Sequence, residues 1–390
     1  MPALPLLVPA AGCNCDVCPY HKGDPDRGVP PGPAPICSGS NPSCRFCGCS
    51  VGEAAAARPA GTGPCGACPV RCGSRPDMAS WVASAGGTLE FDDLPFAPPA
   101  PPPLPRIIPL TDNRNLDSLH AAASWPAWGV PLRRVLTRSP GTEGPLALQP
   151  RWHRDGAHAT LGLDRTRQRA VLVGYAPDQL LERLWERRHT DGLIDQLAAC
   201  RFDLVTAPDF SVYADQPRAE QLFNMRRSLT FASELAEAGV PAAPAIYGGR
   251  REDLDRWVAW IDEVHPPAIF LPRHTLRLDR DWDLHAVPAL SYLAAQLHDL
   301  AADGGPAPTV LVSGVADRRR LAQLAAWFGQ QLHVATQAPV QTATHGRALT
   351  MTGREPVHAH HSDLAGHNLR LLDRYLNVAI NTARTKENCA

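Results

Sequence analysis

The sequence predicts an α/β protein, a (β/α)8 TIM-like barrel that follows an N-terminal Cys-rich metal-binding module. Eight short apolar runs alternate with amphipathic helical patterns after Arg106, as expected for strands buried on both faces. Ten of the twelve cysteines lie between Cys13 and Cys72, and a proline-rich tract over residues 94–105 separates the two regions. The predicted parts are the Cys-rich module over 1–75, a Pro-rich linker over 76–105 and a catalytic barrel over 106–390.

Closely spaced cysteines predict the metal site. Two thiolates that are two or three residues apart can bind one ion from a single turn, as zinc and iron–sulfur sites require. The segment has little apolar periodicity, so we expect metal to close it. The predicted ligands are Cys13, Cys15, Cys18, Cys37, Cys44, Cys47, Cys49, Cys65, Cys68 and Cys72. Zn²⁺ is the expected metal, with a 4Fe–4S cluster as the alternative.

A disulfide framework is the rival interpretation of these cysteines, and it requires an oxidising compartment. The N-terminus has no basic region and is interrupted by prolines, unlike a signal peptide. Only Cys200 and Cys389 lie outside the cluster. We therefore expect a cytoplasmic metalloprotein.

The proline-rich tract predicts a stiff, extended connector along a surface. The apolar runs after it predict parallel strands, and an open doubly wound sheet is the alternative to a closed barrel. The predicted strands are 134–137, 170–174, 202–206, 242–247, 268–271, 309–313, 332–336 and 348–351. The predicted helices include 178–186, 218–224, 251–261 and 318–328.

The amino-acid composition excludes few classes of protein. The hydrophobic fraction of 44% supports a core, the formal charge is −1, and no apolar run is long enough to predict a membrane span. All but two of the 38 basic residues are arginine, whose planar guanidinium suits phosphate. The arginines cluster at 133–134, 187–188, 226–227 and 318–320.

Functional side chains of a barrel lie at the carboxyl ends of its strands. The polar or aromatic residues at those positions are Asp209, Tyr213, Asp215, Tyr247, Arg250, Arg273, His274, Ser313, Thr336, Gln337, His358, His360 and His361. Among them Asp209 is the main catalytic candidate, because Pro208 restricts the backbone before it and Phe210 and Tyr213 supply aromatic walls. Asp215 is a candidate second acid or base, and Tyr213 completes the catalytic set. The structural alternative is that Asp209 caps a helix or pairs with Arg226 or Arg227.

The motif Pro208-Asp-Phe-Ser-Val-Tyr213, followed by Asp215, Pro217 and Asn224-Met-Arg-Arg227, resembles an uncharacterised phage and bacterial domain family. The resemblance covers residues 170–315. It implies the fold and a site around Asp209, but it implies no reaction.

The C-terminal stretch 359–370 is similar to the zinc-binding tail of tRNA-guanine transglycosylases, where a His-Asn-Leu histidine joins a Cys-x-Cys-x-x-Cys. The corresponding residues are His367 and, at the opposite end of the sequence, Cys13, Cys15 and Cys18. His21 and Cys37 are alternative fourth ligands. The resemblance implies that His367 lies beside these cysteines.

The same resemblance implies cleavage of an N-glycosidic bond in DNA or tRNA, by hydrolysis or by base exchange, with Asp209 acting at C1′. A phage-linked family makes DNA modification or antiviral defence a plausible setting. The target base would leave its stack to enter the site, and arginines would bind the flanking phosphates. The expected substrate-binding residues are Phe210, Asn224, Arg227, Tyr247, Arg273 and His274.

Two other function classes stay open. The cysteines also fit an iron–sulfur redox or radical enzyme, although the spacing of Cys65, Cys68 and Cys72 reverses the radical S-adenosylmethionine pattern. The third class is a non-catalytic zinc protein that binds nucleic acid through its cysteine knuckles.

Overall fold

A computed structural model describes residues 25, 28, 30–31, 78–111, 124–137, 145–213, 218–305, 307–350, 353–357 and 361–387. The ten clustered cysteines, Asp215, His358 and His360 lie outside these residues, as does the predicted module over 1–75 apart from four positions. Among the described residues, no helix combines the length and the apolar character that a membrane crossing needs.

Strands and helices alternate along most of the described chain. The strands are β1 Ile107–Pro109, β2 Ala127–Pro131, β3 Arg169–Val173, β4 Leu204–Thr206, β5 Ala242–Ala243, β6 Ala268–Pro272, β7 Thr309–Ser313, β8 Leu332–Thr336, β9 Arg347–Leu349 and β10 Arg354–Pro356. The helices are α1 Met78–Ser84, α2 Pro150–Asp155, α3 Ala157–Leu161, α4 Asp178–Arg187, α5 Leu193–Cys200, α6 Arg218–Glu237, α7 Arg251–Val264, α8 Asp279–Asp281, α9 Val287–Ala302, α10 Arg318–Phe328, α11 Ala338–Thr344 and α12 His361–Glu387.

The described residues divide into two compact units. The smaller contains the described residues up to 94 together with 210–213, 218–230 and 247–253. The larger contains the rest, including strands β1 to β10.

The larger unit contains two four-stranded sheets whose strands are all parallel, in the orders β2-β3-β4-β5 and β1-β8-β7-β6. Single parallel bridges join the edge strands of the two sheets, one between Leu110 and Gly129 and one between Ala245 and Phe270. The aliphatic side chains of β3, β6, β7 and β8 are almost wholly buried, as the unbroken apolar runs predicted. The fold is therefore a mixed α/β architecture built on parallel sheets.

Most predicted elements are confirmed, two predicted strands need correction, and two strands were missed. The predicted strand 134–137 is wrong, because Leu132–Arg134 forms a 3₁₀ turn directly after β2. The run beginning at Ala348 forms an antiparallel hairpin, β9 with β10, and not a further parallel strand. Two parallel strands were not predicted, β1 and β2. Proline interrupts both apolar patterns, at Pro109 and at Pro131.

The proline-rich tract over 94–105 contains no helix or strand, and segments distant in sequence contact it near both ends. The carbonyl of Pro95 accepts a hydrogen bond from Ser233 Oγ at 2.5 Å, and Phe96 packs against Trp260 with ring centroids 5.3 Å apart. At the other end, a ring nitrogen of His333 lies 2.9 Å from the Pro105 carbonyl. This tract leads directly into β1.

Buried arginines hold the smaller unit together. Arg226 is completely buried; its Nε donates to the Ala85 carbonyl at 2.8 Å and its Nη1 to Asp93 at 2.5 Å, and it also bonds the Glu90 carbonyl. Arg218 makes a two-point contact with Asp253, with Nη1 to Oδ2 at 2.8 Å. Each guanidinium therefore has a carboxylate partner, which offsets the cost of burying its charge.

Candidate active site

A large cavity opens at the carboxyl ends of the parallel strands in the larger unit. Its volume is about 1170 Å³. Residues that follow five different strands line it: Arg133 after β2, Tyr175 after β3, His274 after β6, Gly314 after β7 and Gln337 after β8. Ligands of parallel α/β folds bind at this end of the strands, so the cavity is the main candidate site.

The cavity is rich in positive charge. Six arginines and two aspartates line it: Arg133, Arg277, Arg318, Arg319, Arg320, Arg354, Asp279 and Asp317. Asp279 pairs with Arg320 at 2.9 Å and with Arg319 at 3.2 Å, and the Asp317 side chain accepts a bond from the first turn of α10.

Three of these arginines have no carboxylate within 4 Å in the part of the chain that the structure describes: Arg133, Arg277 and Arg354. Their charges are available to an anionic ligand.

The backbone before Asp209 is held by a close approach of two strand ends. The Asp209 N–H donates to the Gly174 carbonyl at 2.8 Å, and the Gly174 N–H donates to Thr206 Oγ1 at 2.8 Å. A Cβ at Gly174 would lie 2.1 Å from the carbonyl oxygen of Ala207. Only glycine permits this contact, which fixes the position of Asp209.

Asp209 is a buried carboxyl with an elevated pKa. The residue is only 7% exposed, and burial raises its pKa to about 7. The positive charge of Arg273 opposes this increase, and the negative charge of Asp178 adds to it. Asp209 therefore exchanges its proton near neutral pH, which suits a general acid or base.

Arg273 is the buried counter-charge of Asp209. Its Nη1 donates to the Pro272 carbonyl at 2.7 Å, and burial lowers the pKa of the guanidinium to about 10. It stays protonated at neutral pH. Of the two arginines expected from the sequence as partners of Asp209, Arg226 pairs with Asp93 and Arg227 packs on aromatic rings.

His274 connects Asp209 to the cavity. Its Nδ1 is 3.3 Å from Asp209 Oδ2, although the two groups are not aligned as a hydrogen bond. Its ring stacks on Tyr175 with centroids 4.9 Å apart, and Arg133 lies 5.1 Å from the centre of the Tyr175 ring. Burial, together with the positive charges of Arg133 and Arg277, lowers the pKa of His274 to about 4. The imidazole is therefore neutral at pH 7.

The end of β7 is shaped to accept His274. Gly314 has φ of +83°, and a Cβ there would lie 2.3 Å from the Cα of His274. Any other residue would displace the histidine. His274 lines the cavity, whereas Asp209 and Arg273 are not among the lining residues. In this arrangement His274 can contact a ligand, and Asp209 can act through His274.

Three other candidates from the sequence form a buried cluster in the smaller unit. The Arg227 guanidinium lies 4.1 Å from the centre of the Phe210 ring and donates to Asn224 Oδ1 at 2.7 Å. Asn224 also donates to the Ser211 carbonyl at 2.6 Å. Phe210 is only 1% exposed, so its ring has no open face on which a base could stack in this structure. These contacts favour a packing role.

The remaining candidates are dispersed. Tyr213 is 43% exposed, and its carbonyl accepts a bond from Gln221 at 2.8 Å. Tyr247 is half-buried. The His367 Nε2 lies 3.2 Å from the Leu349 carbonyl. The cysteines that His367 was expected to join lie outside the described residues, and within those residues no three His, Cys, Asp or Glu side chains form a potential metal site.

The cavity residues that were not predicted from the sequence include Tyr175, Arg277 and Arg354. Tyr175 follows directly after the predicted strand 170–174, so the strand-end rule could have found it. Arg277 lies in the loop three residues beyond His274. Arg354 belongs to the β9–β10 hairpin, which no sequence pattern marks as part of a site.

Residues 158–264 match a family described as a domain of unknown function (DUF4417). The match includes Asp209 and agrees with an uncharacterised domain family. No curated protein matches the chain significantly.

Solved structures show weak similarity. One described as native KDPGal has 12% identity and a TM-score of 0.35, covering 73% of this chain and 98% of its own. A 4-hydroxy-2-oxoglutarate/2-dehydro-3-deoxyphosphogluconate aldolase has 13% identity and a TM-score of 0.35, covering 77% and 98%. The flavin-binding domain of baker's yeast flavocytochrome b2 has 12% identity and a TM-score of 0.41, covering 75% and 70%.

Proposed function

We propose that this protein is an enzyme that binds a phosphate-bearing substrate in the arginine-lined cavity and cleaves an N-glycosidic bond of a base in DNA or tRNA. One observation carries the proposal: arginines that have no carboxylate partner among the described residues line the same cavity as His274, which is in contact with the buried carboxyl of Asp209. The cavity exceeds the roughly 300–1,000 Å³ of small-molecule pockets, so it has room for a nucleotide and a flanking phosphate.

The proposed chemistry is acid–base catalysis by His274 with Asp209 as its proton partner. His274 in its protonated form donates a proton to the leaving base while the bond from C1′ to nitrogen breaks. The resulting neutral imidazole then accepts a proton from the water that forms the new bond from C1′ to oxygen. If a second base attacks in place of water, the same groups support base exchange. Asp209 positions and recharges His274 and need not touch the sugar.

We also propose that the two parallel sheets close into a (β/α)8 barrel. The bridges from Leu110 to Gly129 and from Ala245 to Phe270 support closure, since each joins edge strands of different sheets. Closure would place the strand ends that carry Arg133, Tyr175, Asp209 and His274 around one opening, as in other barrel enzymes.

Base release is the direct test of the proposed reaction. The full-length protein is incubated with single-stranded DNA, duplex DNA and tRNA, and released bases are identified by mass spectrometry. We expect release that depends on His274 and Asp209 and is abolished in His274→Gln. Binding of nucleic acid without any released base, unchanged in Asp209→Asn, would contradict the proposed reaction and favour a non-catalytic binding protein.

Zinc bound by the cysteines between Cys13 and Cys72 is a separate proposal, supported by their spacing. Elemental analysis of anaerobically purified protein tests it. Stoichiometric zinc in colourless protein supports zinc, whereas iron with absorbance near 400 nm supports the iron–sulfur alternative. Protein that contains neither metal would contradict both.

A further inference from the structure

Two arginines that influence His274 have no carboxylate within 4 Å among the described residues. Arg133, after β2, and Arg277, in the loop after β6, both act electrostatically on the imidazole. Both also line the cavity. An anion bound between them would therefore lie close to the imidazole.

We infer that a phosphate group of the substrate binds between Arg133 and Arg277 and, by offsetting their positive charge, moves a proton from Asp209 onto His274. This inference rests on the proposed function, because it assigns a ligand to one part of the proposed cavity. It adds that the catalytic acid is formed only when that ligand is present.

The free protein keeps His274 neutral for identifiable reasons. Burial disfavours the imidazolium, and each neighbouring arginine repels it. The groups around His274 come from several segments: Asp209 after β4, Tyr175 after β3, Arg133 after β2, Gly314 after β7, and Arg273 and Arg277 on its own segment. Of these, Asp209 supplies a carboxyl whose oxygen lies within 3.3 Å of His274 Nδ1 and can pass its proton to the imidazole.

Phosphate changes this balance because it supplies negative charge where the arginines are. The proton then leaves an Asp209 oxygen and binds His274 Nδ1, which breaks one O–H bond and forms one N–H bond. A small rotation of the imidazole completes the hydrogen bond, since the two atoms are already 3.3 Å apart. The carboxylate that results is stabilised by Arg273 and by the imidazolium, and the Tyr175 ring favours the cation stacked on it.

This coupling would make the substrate's phosphate part of the chemistry as well as of binding. A substrate analogue that lacks the phosphate should bind less tightly and should also leave His274 uncharged. Its loss of activity should therefore fall on kcat as well as on KM.

The test is an NMR titration of His274 in the full-length protein, with sulfate as a phosphate analogue that does not itself titrate near neutral pH. His274 is assigned by comparison with His274→Gln, and sulfate binding is measured separately by calorimetry. Proton transfer requires the pKa of His274, about 4 in the free protein, to reach that of Asp209, about 7. We therefore expect sulfate to raise the pKa of His274 by about three units, the upper end of the range that a nearby charge produces.

Variants at Arg133 and Arg277 test whether their charges set the pKa of His274. In the Arg133→Gln, Arg277→Gln double variant the pKa of His274 should be raised without sulfate, and sulfate should change it little. The Arg133→Lys, Arg277→Lys variant keeps the charges and should restore the response. Arg280→Gln, an exposed arginine outside the cavity, is the matched control and should behave like the wild type.

The outcomes separate the inference from the proposed function. Sulfate that binds in the wild type but leaves the pKa of His274 below that of Asp209 overturns the inference and leaves the phosphate-binding cavity intact. Absence of sulfate binding overturns the anion site and with it the inference, whereas base release would still be tested on its own.

Discussion

Arginines occur in two contrasting surroundings in this protein. Arg218, Arg226 and Arg188 are buried, and each contacts a carboxylate, at Asp253, Asp93 and Glu234 respectively. Arg133, Arg277 and Arg354 line an open cavity and have no such partner within the described residues. Whether an arginine stabilises the fold or can bind a ligand therefore depends on whether a carboxylate contacts its guanidinium, and not on the residue type.

The largest expected effect is on turnover and follows from replacing Asp209, the carboxyl that contacts His274. Asp209→Asn should lower turnover by about 10²–10⁴-fold, because the amide cannot exchange a proton with His274. The assay is base release under saturating nucleic acid, with circular dichroism to confirm that the fold is intact. Glu234→Gln, which changes a carboxylate of a structural pair, is the control and should retain turnover. Near wild-type turnover by Asp209→Asn would place the active site elsewhere.

The second prediction compares the stability cost of replacing an arginine that pairs with a carboxylate and one that lines the cavity. Arg218→Met leaves Asp253 buried without its counter-charge and should lower the free energy of unfolding by about 3–5 kcal/mol. Arg277→Met removes an exposed charge that has no carboxylate partner among the described residues. It should change the free energy of unfolding by no more than about 0.5 kcal/mol. Urea denaturation of both variants measures the difference. Equal losses would mean that the two surroundings do not differ energetically.

The same contrast explains how much of the site could be predicted from the sequence. The doublets at 133–134, 187–188 and 226–227 are alike in sequence, yet Arg226 pairs with Asp93, which is more than 130 positions away. A carboxylate at that separation leaves no local pattern. The sequence could identify Asp209 and His274 by their positions after apolar runs, but it could not show which arginines lack partners.

The fold was predictable where local pattern and burial agree. The runs that became β3, β4, β6, β7 and β8 are unbroken and apolar, and both of their faces are buried. β1 and β2 each contain proline and were missed, although their pairing with β8 and β3 supports them. The expectation that Phe210 offers a stacking surface depended on exposure, which long-range packing determines.

The third prediction concerns pH. Burial raises the pKa of Asp209 from 3.8 to about 7 in the folded protein, so the folded state binds this proton more tightly than the unfolded state. The contribution of this proton to the free energy of unfolding is fully present below pH 3.8 and is lost as pH rises through 7. At 1.36 kcal/mol per unit, the upper limit of the loss is about 4 kcal/mol.

His274 acts in the opposite direction, because its lowered pKa costs stability as the pH falls below 6.5 towards 4. Comparison with Asp209→Asn isolates the carboxyl. The variant should match the wild type near pH 4 and be more stable at pH 8, by up to about 4 kcal/mol. Urea titrations at a series of pH values measure this. A difference that does not vary with pH would contradict a buried, titrating carboxyl.

The smallest expected effect is on ligand affinity at a single cavity arginine. Arg277 is exposed, so water and salt screen its charge, and Arg277→Gln should weaken nucleic-acid binding by only about tenfold, near 1.4 kcal/mol. The slope of log K against log salt should fall by about one charge, as expected when a phosphate contact is lost. Arg280→Gln, three residues away and outside the cavity, should change neither quantity. Fluorescence anisotropy with labelled DNA and tRNA over a range of salt concentrations measures both. If the two variants lose affinity and salt dependence equally, the binding reflects diffuse surface charge, and the cavity is not where the phosphate binds.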